Sequence, residues 1–154
     1  MKTSDYVVGL MFDESLERVA LIRKIKPAWQ AGKLNGAGGS IEDFDSDDDL
    51  IAADVVAIVR EWKEETGMVT KPSDWLDFLV MRDIPSSWHV HCFCAIGDID
   101  LLESKEEEKL EIVNVSDITL TRTDVVDNLC WMIGIALNVL KTGRPTFAEV
   151  IYPN

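Results

Sequence analysis

Cysteine, histidine, basic charge and long apolar runs are all scarce in this sequence, and each scarcity excludes something. Three cysteines, Cys92, Cys94 and Cys130, make an odd count without scaffold spacing, so a disulfide framework is not expected. The only two histidines stand beside two of them, in His89-Val-His91-Cys92-Phe-Cys94. On a strand alternate residues face opposite ways, which puts the histidines on one side and the thiols on the other. A shared tetrahedral zinc site is hard to build from that arrangement, and reduced core thiols are expected instead. No apolar run reaches the ~20 residues that span a bilayer, and the amino terminus lacks a basic-then-apolar signal pattern. The expected compartment is the cytoplasm, with no membrane partner. Lys and Arg number 15 against 28 Asp and Glu, and the net charge of −13 excludes the basic surface on which non-specific nucleic-acid binding relies.

What the chain does have is acid in a pattern. Residues 60–68 read Arg-Glu-Trp-Lys-Glu-Glu-Thr-Gly-Met. At about 100° per residue on a helix, Glu64 and Glu65 fall roughly 60° and 40° to either side of Glu61, so all three carboxylates leave one face. Like charges so crowded are costly unless a cation sits among them. Hard divalent ions bind a few carboxylates together with substrate phosphates, so the face reads as a metal platform for phosphate chemistry. Such a cation also inverts the local field, which leaves a small nucleotide open as substrate despite the acidic chain. Ile51, Val55, Ile58, Val59 and Trp62 form the core-facing stripe of the same helix. The helix is expected to begin near Ser46 or Asp47, where small polar side chains cap and acids suit the dipole, and to stop at Gly67.

With Gly39 upstream, this segment resembles the Nudix box, G-x5-E-x7-R-E-U-x-E-E-x-G-U, where U is a bulky apolar residue. Gly39, Arg60, Glu61, Trp62, Glu64, Glu65, Gly67 and Met68 match. The chain departs from the pattern twice. Asp45 stands where the family has its intermediate Glu, and fourteen residues separate Asp45 from Arg60 where the pattern has seven. Seven extra residues are close to two helical turns, so the insertion is expected to lengthen the helix without rotating its faces. The resemblance implies an α/β fold, an αβα sandwich with a mixed sheet, and a pyrophosphate hydrolase using Mg²⁺ or Mn²⁺. It implies metal ligation by Glu61, Glu64 and Glu65, and an Arg60 that orients a neighbouring carboxylate through a salt bridge. A further acid on a distant loop serves many relatives as ligand or base. Glu103, Glu106, Glu107, Glu108 and Glu111 are the candidates, with Glu107 taken as the ligand.

The segment Leu34-Asn35-Gly36-Ala37-Gly38-Gly39 is similar to the Asn-Gly-x-Gly-Gly stretch of purine nucleoside triphosphatases that clear oxidised dGTP, in which the Asn contacts the base. By that likeness Asn35, Gly38 and Gly39 bind substrate, and Asp127 and Asn128 sit where those enzymes read the base edge. A turn is the alternative use of Asn-Gly, and helix capping that of Asp127 and Asn128. The Lys that follows Gly-Gly in those enzymes is Ser40 here; Arg23, Lys26 and Lys33 are candidate replacements. Trp29 and Trp131 are the tryptophans considered for base stacking, with Trp62 assigned to the core.

The remaining pattern alternates strands and helices within one domain over residues 1–154. Strands are expected at Tyr6–Phe12, Arg18–Ile25, Trp75–Arg82, His89–Ile96 and Leu110–Val115, a loop at Lys26–Gly39 and a second helix at Val125–Lys141. The β-prone tail Thr146–Tyr152 is expected to add an edge strand or to meet a second subunit, which makes a homodimer plausible. Three functions compete. The first is a nucleoside triphosphate pyrophosphohydrolase, favoured because the first strand starts near the amino terminus. The second is a hydrolase of a nucleoside diphosphate linked to another group, such as ADP-ribose. The third is a non-catalytic nucleotide-binding module.

Overall fold

The computed structural model describes residues 3–47, 49–144 and 146–153. A mixed sheet forms its middle layer. The strands are β1 (Ser4–Phe12), β2 (Arg18–Arg23), β3 (Leu34–Asn35), β4 (Ala37–Ser40), β5 (Leu76–Asp83), β6 (Trp88–Ile96), β7 (Lys109–Asn114) and β8 (Ala148–Tyr152). Their main path runs β3-β2-β1-β6-β5-β8, with β4 also paired to β1 and β7 to β2. The β1–β6 and β5–β8 pairs are parallel and the others antiparallel. The tail is thus an edge strand, as its β-prone composition suggests.

Period-two alternation divides the core between the two faces of the sheet. Val7 and Met11 of β1, Ala20 and Ile22 of β2, and Phe93 and Ala95 of β6 face α1 (Ala53–Thr66), where they meet Ala57, Ile58 and Trp62. Leu10 and Phe12, Val19 and Leu21, and Cys92 and Cys94 face α3 (Leu129–Thr142), packing on Met132, Ile133 and Ala136. A short helix, α2 (Val115–Leu120), links β7 to α3. Gly9 is required where β1 passes under α1, since a Cβ there would come within 2.7 Å of Ile58. Trp62 is wholly buried and meets Trp75 edge-on, with centroids 5.1 Å apart. The predicted separation of histidines and thiols holds. His89 pairs with Asp5 and His91 with Asp54, while burial pushes the Cys94 thiol up to about 12.

The insertion does not lengthen the helix. A 3-10 turn covers Asp43–Ser46, and α1 starts only at Ala53. The reason lies in Asp45, which is 1% exposed and bonded to Arg60. A continuous helix would hold positions fifteen apart about 22 Å from each other. The Asp45–Arg60 contact therefore forces the chain to double back, and the extra residues form the return loop. In the last third, the helix expected from Val125 starts at Leu129, because Leu34 and Val125 form a parallel bridge. Both long helices end on left-handed glycines, the expected Gly67 at φ +76° and Gly143 at φ +63°. Among the described residues no helix is long and apolar enough to cross a membrane.

Candidate active site

A cleft of about 1390 Å³ opens across the ends of β1, β3 and β4. Glu61, Glu64, Glu65, Gly38 and Gly39 line one part of it. Asn35, Asp127 and Asn128 line another, and Glu106, Glu107 and Glu108 contribute from the loop before β7. Of the candidate site residues singled out from the sequence, Arg60, Arg23, Trp131, Glu103 and Glu111 do not line this cavity, and the others border it together.

Arg60 is the hub of the acidic end. Its Nε and Nη2 donate to Asp45 at 3.0 and 2.9 Å, Nη2 donates also to the Ser40 carbonyl, and Nη1 donates to Glu61 at 2.7 Å. Glu64 lies 3.4 Å from Nη1 with its side chain half exposed. Phe44 covers the guanidinium, 5.2 Å from its ring centroid. Burial pushes the Asp45 carboxyl up, but the Arg60 bonds and the Glu42 N–H outweigh it and hold the group below the usual range. Asp45 thus makes the anchoring contact with its shorter arm. Ser40, exposed at the end of β4, gives Arg60 its backbone rather than a cation to the cleft.

Glu65 lies deepest, 9% exposed at the last turn of α1. Its carboxyl is pushed up to about 8, chiefly by burial and further by Glu61 and Glu108, while Lys24 and the Gly38 N–H oppose the rise. Burial, the largest influence, raises Glu61 as well, against Arg60. Among the described residues two buried side-chain polar atoms lack any partner, Trp62 Nε1 and Glu65 Oε2. A buried carboxylate oxygen without a donor is costly, and the shortage here is of positive charge. Gly39 makes room for this group, because a Cβ there would fall 2.5 Å from Glu61 Oε1. Gly38 is needed by the backbone, since its Cβ would meet the Val7 carbonyl oxygen at 1.9 Å.

Hard oxygen donors in excess of cations suit a divalent ion of the Mg²⁺ kind, so the residues fit the expected group in chemistry. As they stand, Glu61 and Glu64 both lean on Arg60, and among the described residues no three His, Cys, Asp or Glu side chains converge to hold a metal. The distal acids sort by their partners. Glu103 pairs with Lys105, and Glu111 pairs with Arg23, which also holds Asp124. Glu107 is exposed at the cleft, whereas Glu108 is bonded to Lys24 at 2.7 Å and to the Ile25 N–H, close enough to act on Glu65. Lys24 is absent from the sequence-based candidates although period two points to it: Ala20, Ile22 and Lys24 lie on the α1 face. Glu108 reaches it because β7 continues opposite β2, with Lys109 across from Arg23.

At the other end, the Leu34 N–H donates to the Asp124 carbonyl at 2.8 Å and the Val126 N–H to the Leu34 carbonyl at 3.0 Å. These bonds stitch the Asn35 segment to the Asp127 segment. Asn35 is tied to Gln30 and to Gly36 N–H. Asn128 makes no side-chain cap; its Nδ2 lies 3.3 Å from Met81 Sδ and 3.5 Å from the Tyr152 hydroxyl. Trp29 is 64% exposed at the rim and lines the cleft, whereas Trp131 packs against the α3-side core.

No family model and no curated protein matches the chain. Solved structures do. A Nudix hydrolase from Nitrosomonas europaea aligns over 100% of this chain and 81% of its own length at TM-score 0.73 and 16% identity. The fold is that of the Nudix hydrolases. The same fold aligns over 86% of this chain with MutT from a study of Aliivibrio salmonicida and Vibrio cholerae, covering 97% of that chain at TM-score 0.62 and 18% identity. It aligns over 91% with the Nudix domain of Shewanella oneidensis NrtR in complex with ADP ribose, covering 90% of that chain at TM-score 0.68 and 13% identity. At these identities the likeness is one of fold, and the Nudix fold is kept here with an insertion looped out between Asp45 and α1.

Proposed function

We propose that this chain is a metal-dependent Nudix pyrophosphohydrolase that cleaves a purine nucleoside triphosphate, with an oxidised purine among the candidates, to monophosphate and pyrophosphate. The observation that carries the reading is Glu65, a buried carboxylate whose Oε2 has no partner among the described residues, set beside Glu61 in a cleft that Asn35, Asp127 and Asn128 also line. Glu61, Glu64 and Glu65, with Glu107 or Glu108 from the distant loop, would hold Mg²⁺ or Mn²⁺, which would supply charge neutralisation at the diphosphate and a lowered pKa for an attacking water. Arg60 does not touch substrate in this scheme. Anchored by Asp45, it holds Glu61 and Glu64 in place and limits their mutual repulsion. Gly38 and Gly39 leave the strand edge open for a phosphate chain, and Lys24 tempers the charge around Glu65 and Glu108. Asp127 and Asn128 bind the base, and Asn35 borders the same part of the cleft.

A second reading, hydrolysis of a nucleoside diphosphate linked to another group, rests on the NrtR Nudix domain, which carries ADP ribose on the same fold. The cytoplasm is the expected compartment, and the outer edge of β8 is open to a second copy of the chain. The deciding experiment is a substrate panel with Mg²⁺: purine and pyrimidine triphosphates, oxidised dGTP, ADP-ribose and a dinucleoside polyphosphate, each assayed for phosphate and pyrophosphate release. Preference for a purine triphosphate with pyrophosphate as product supports the first reading. Faster cleavage of ADP-ribose than of any triphosphate replaces it with the second. No cleavage of any member leaves a binding module.

A further inference from the structure

The amide of Asn35 has a fixed polarity, and it passes that polarity to a second amide. The Gly36 N–H donates to Asn35 Oδ1 at 2.8 Å. A backbone N–H needs an acceptor, so this atom is the oxygen and the other is the NH₂ group. Asn35 Nδ2 in turn donates to Gln30 Oε1 at 2.9 Å. That contact fixes the Gln30 carbonyl oxygen on Asn35 and identifies the other atom, Nε2, as a donor only. Among the described residues Nε2 has no acceptor, and half-buried Gln30 lines the cleft. The Gln30 backbone is pinned as well: its N–H donates to the Pro27 carbonyl, and its carbonyl accepts from the Lys33 N–H, both at 2.9 Å.

Asp127 borders the same cleft from the segment stitched to Leu34, and a carboxylate offers acceptors only. One wall thus presents a donor and the next an acceptor. We propose that Gln30, locked in one orientation by Asn35, selects a 6-oxo purine over a 6-amino purine, with Asp127 accepting from the N–H groups of the same base. A guanine edge offers O6 and N7 as acceptors, matching Nε2. Adenine places its 6-amino donor against the same donor, which leaves two buried polar groups unpaired. This inference rests on the purine nucleotide reading and names the base within it. Gln30 is the specificity residue, and Asn35 acts through it as a positioning residue.

Two substitutions separate these roles. Gln30→Glu keeps size and the contact with Asn35 but puts an acceptor where Nε2 was. Asn35→Asp keeps an acceptor for Gly36 N–H but offers no donor to Gln30, so the Gln30 amide turns over and shows its oxygen to the cleft. The measurements are kcat/KM for dGTP and dATP with Mg²⁺, and calorimetric binding of GMP and AMP without metal. The wild type should favour guanine by roughly tenfold or more, and Gln30→Glu should cut that ratio by at least as much, mainly through KM. Asn35→Asp should shift the ratio toward adenine, whereas a merely structural Asn35 would weaken both bases alike. Equal handling of the two bases by wild type, or a ratio unmoved by either substitution, overturns the proposal. If no nucleotide is hydrolysed, the hydrolase reading fails separately. Metal-free binding then still judges Gln30: a GMP preference reversed by Asn35→Asp sustains the proposal, and equal binding refutes it.

Discussion

Replacing Arg60 with Gln removes the guanidinium that makes the chain double back between Asp45 and α1, along with its bonds to Glu61 and the Ser40 carbonyl. Asp45 is 1% exposed and takes two of its three side-chain bonds from Arg60, the third from the Glu42 N–H at 2.8 Å. A surface ion pair would be worth under about 1 kcal/mol. Removing one partner of a buried pair strands the other charge and costs about 3–5 kcal/mol. For a chain of this size that corresponds to a fall in Tm of roughly 6–20 °C. The pH dependence carries the sharper signature. In the wild type the folded Asp45 pKa is depressed, so its stabilisation is complete above the unfolded carboxylate range and is lost as pH falls through the lower folded value. Without Arg60, burial is opposed only by the Glu42 N–H and raises that pKa, so acidification from pH 7 to 5.5 should relieve the variant and narrow the gap. Urea unfolding followed by tryptophan fluorescence, to which the buried Trp62 and Trp75 contribute, reads both effects. A loss below 1 kcal/mol at pH 7, or a gap that does not narrow at pH 5.5, refutes the buried-anchor account.

Other consequences follow from the same geometry. Without metal, Glu65 has a folded pKa raised to about 8, so its contribution to stability is greatest below its unfolded value and declines as pH rises toward 8. Glu65→Gln should flatten that decline, adding on the order of a few kcal/mol at pH 8 in EDTA; an unchanged pH profile of the urea midpoint refutes this. Gly39→Ala places a Cβ 2.5 Å from Glu61 Oε1 and should lower turnover at least tenfold with a modest change in Tm. Gly38→Ala meets the Val7 carbonyl at 1.9 Å and should cost stability first, because β4 must shift from β1. Comparing melting curves with kcat for the pair decides whether the two glycines serve these different ends.

Local signals in the sequence carried well where the chain's partner lies close by. The stripe Val55-Ile58-Val59-Trp62 and the stop at Gly67 placed α1 and its acidic face, although Ile51, expected on the same stripe, precedes the helix, and period two separated His89 and His91 from Cys92 and Cys94. The failures are non-local. The helix start was misplaced because Asp45 is claimed by a residue fifteen positions on, a tertiary bond stronger than the capping tendency of Ser46 and Asp47. Residues 26–39 read as loop because β3 and β4, of two and four residues, are too short to show a period and exist only through pairing with β2 and β1. The Lys24 contact of Glu108, one of five candidate acids, was not legible, since Lys24 lies across a strand pair 84 positions away. Gln30 lay hidden for a similar reason: its polarity is set by a chain of two hydrogen bonds through Asn35, not by any spacing.

The most direct test of the central claim is ³¹P NMR of dGTP incubated with the wild-type protein and with Glu65→Gln, each in Mg²⁺ and in EDTA. The account predicts monophosphate and pyrophosphate from the wild type in Mg²⁺ alone, with Glu65→Gln slower by orders of magnitude yet still folded. Equal conversion by both proteins, conversion undiminished in EDTA, or release of inorganic phosphate with a diphosphate left behind would contradict it.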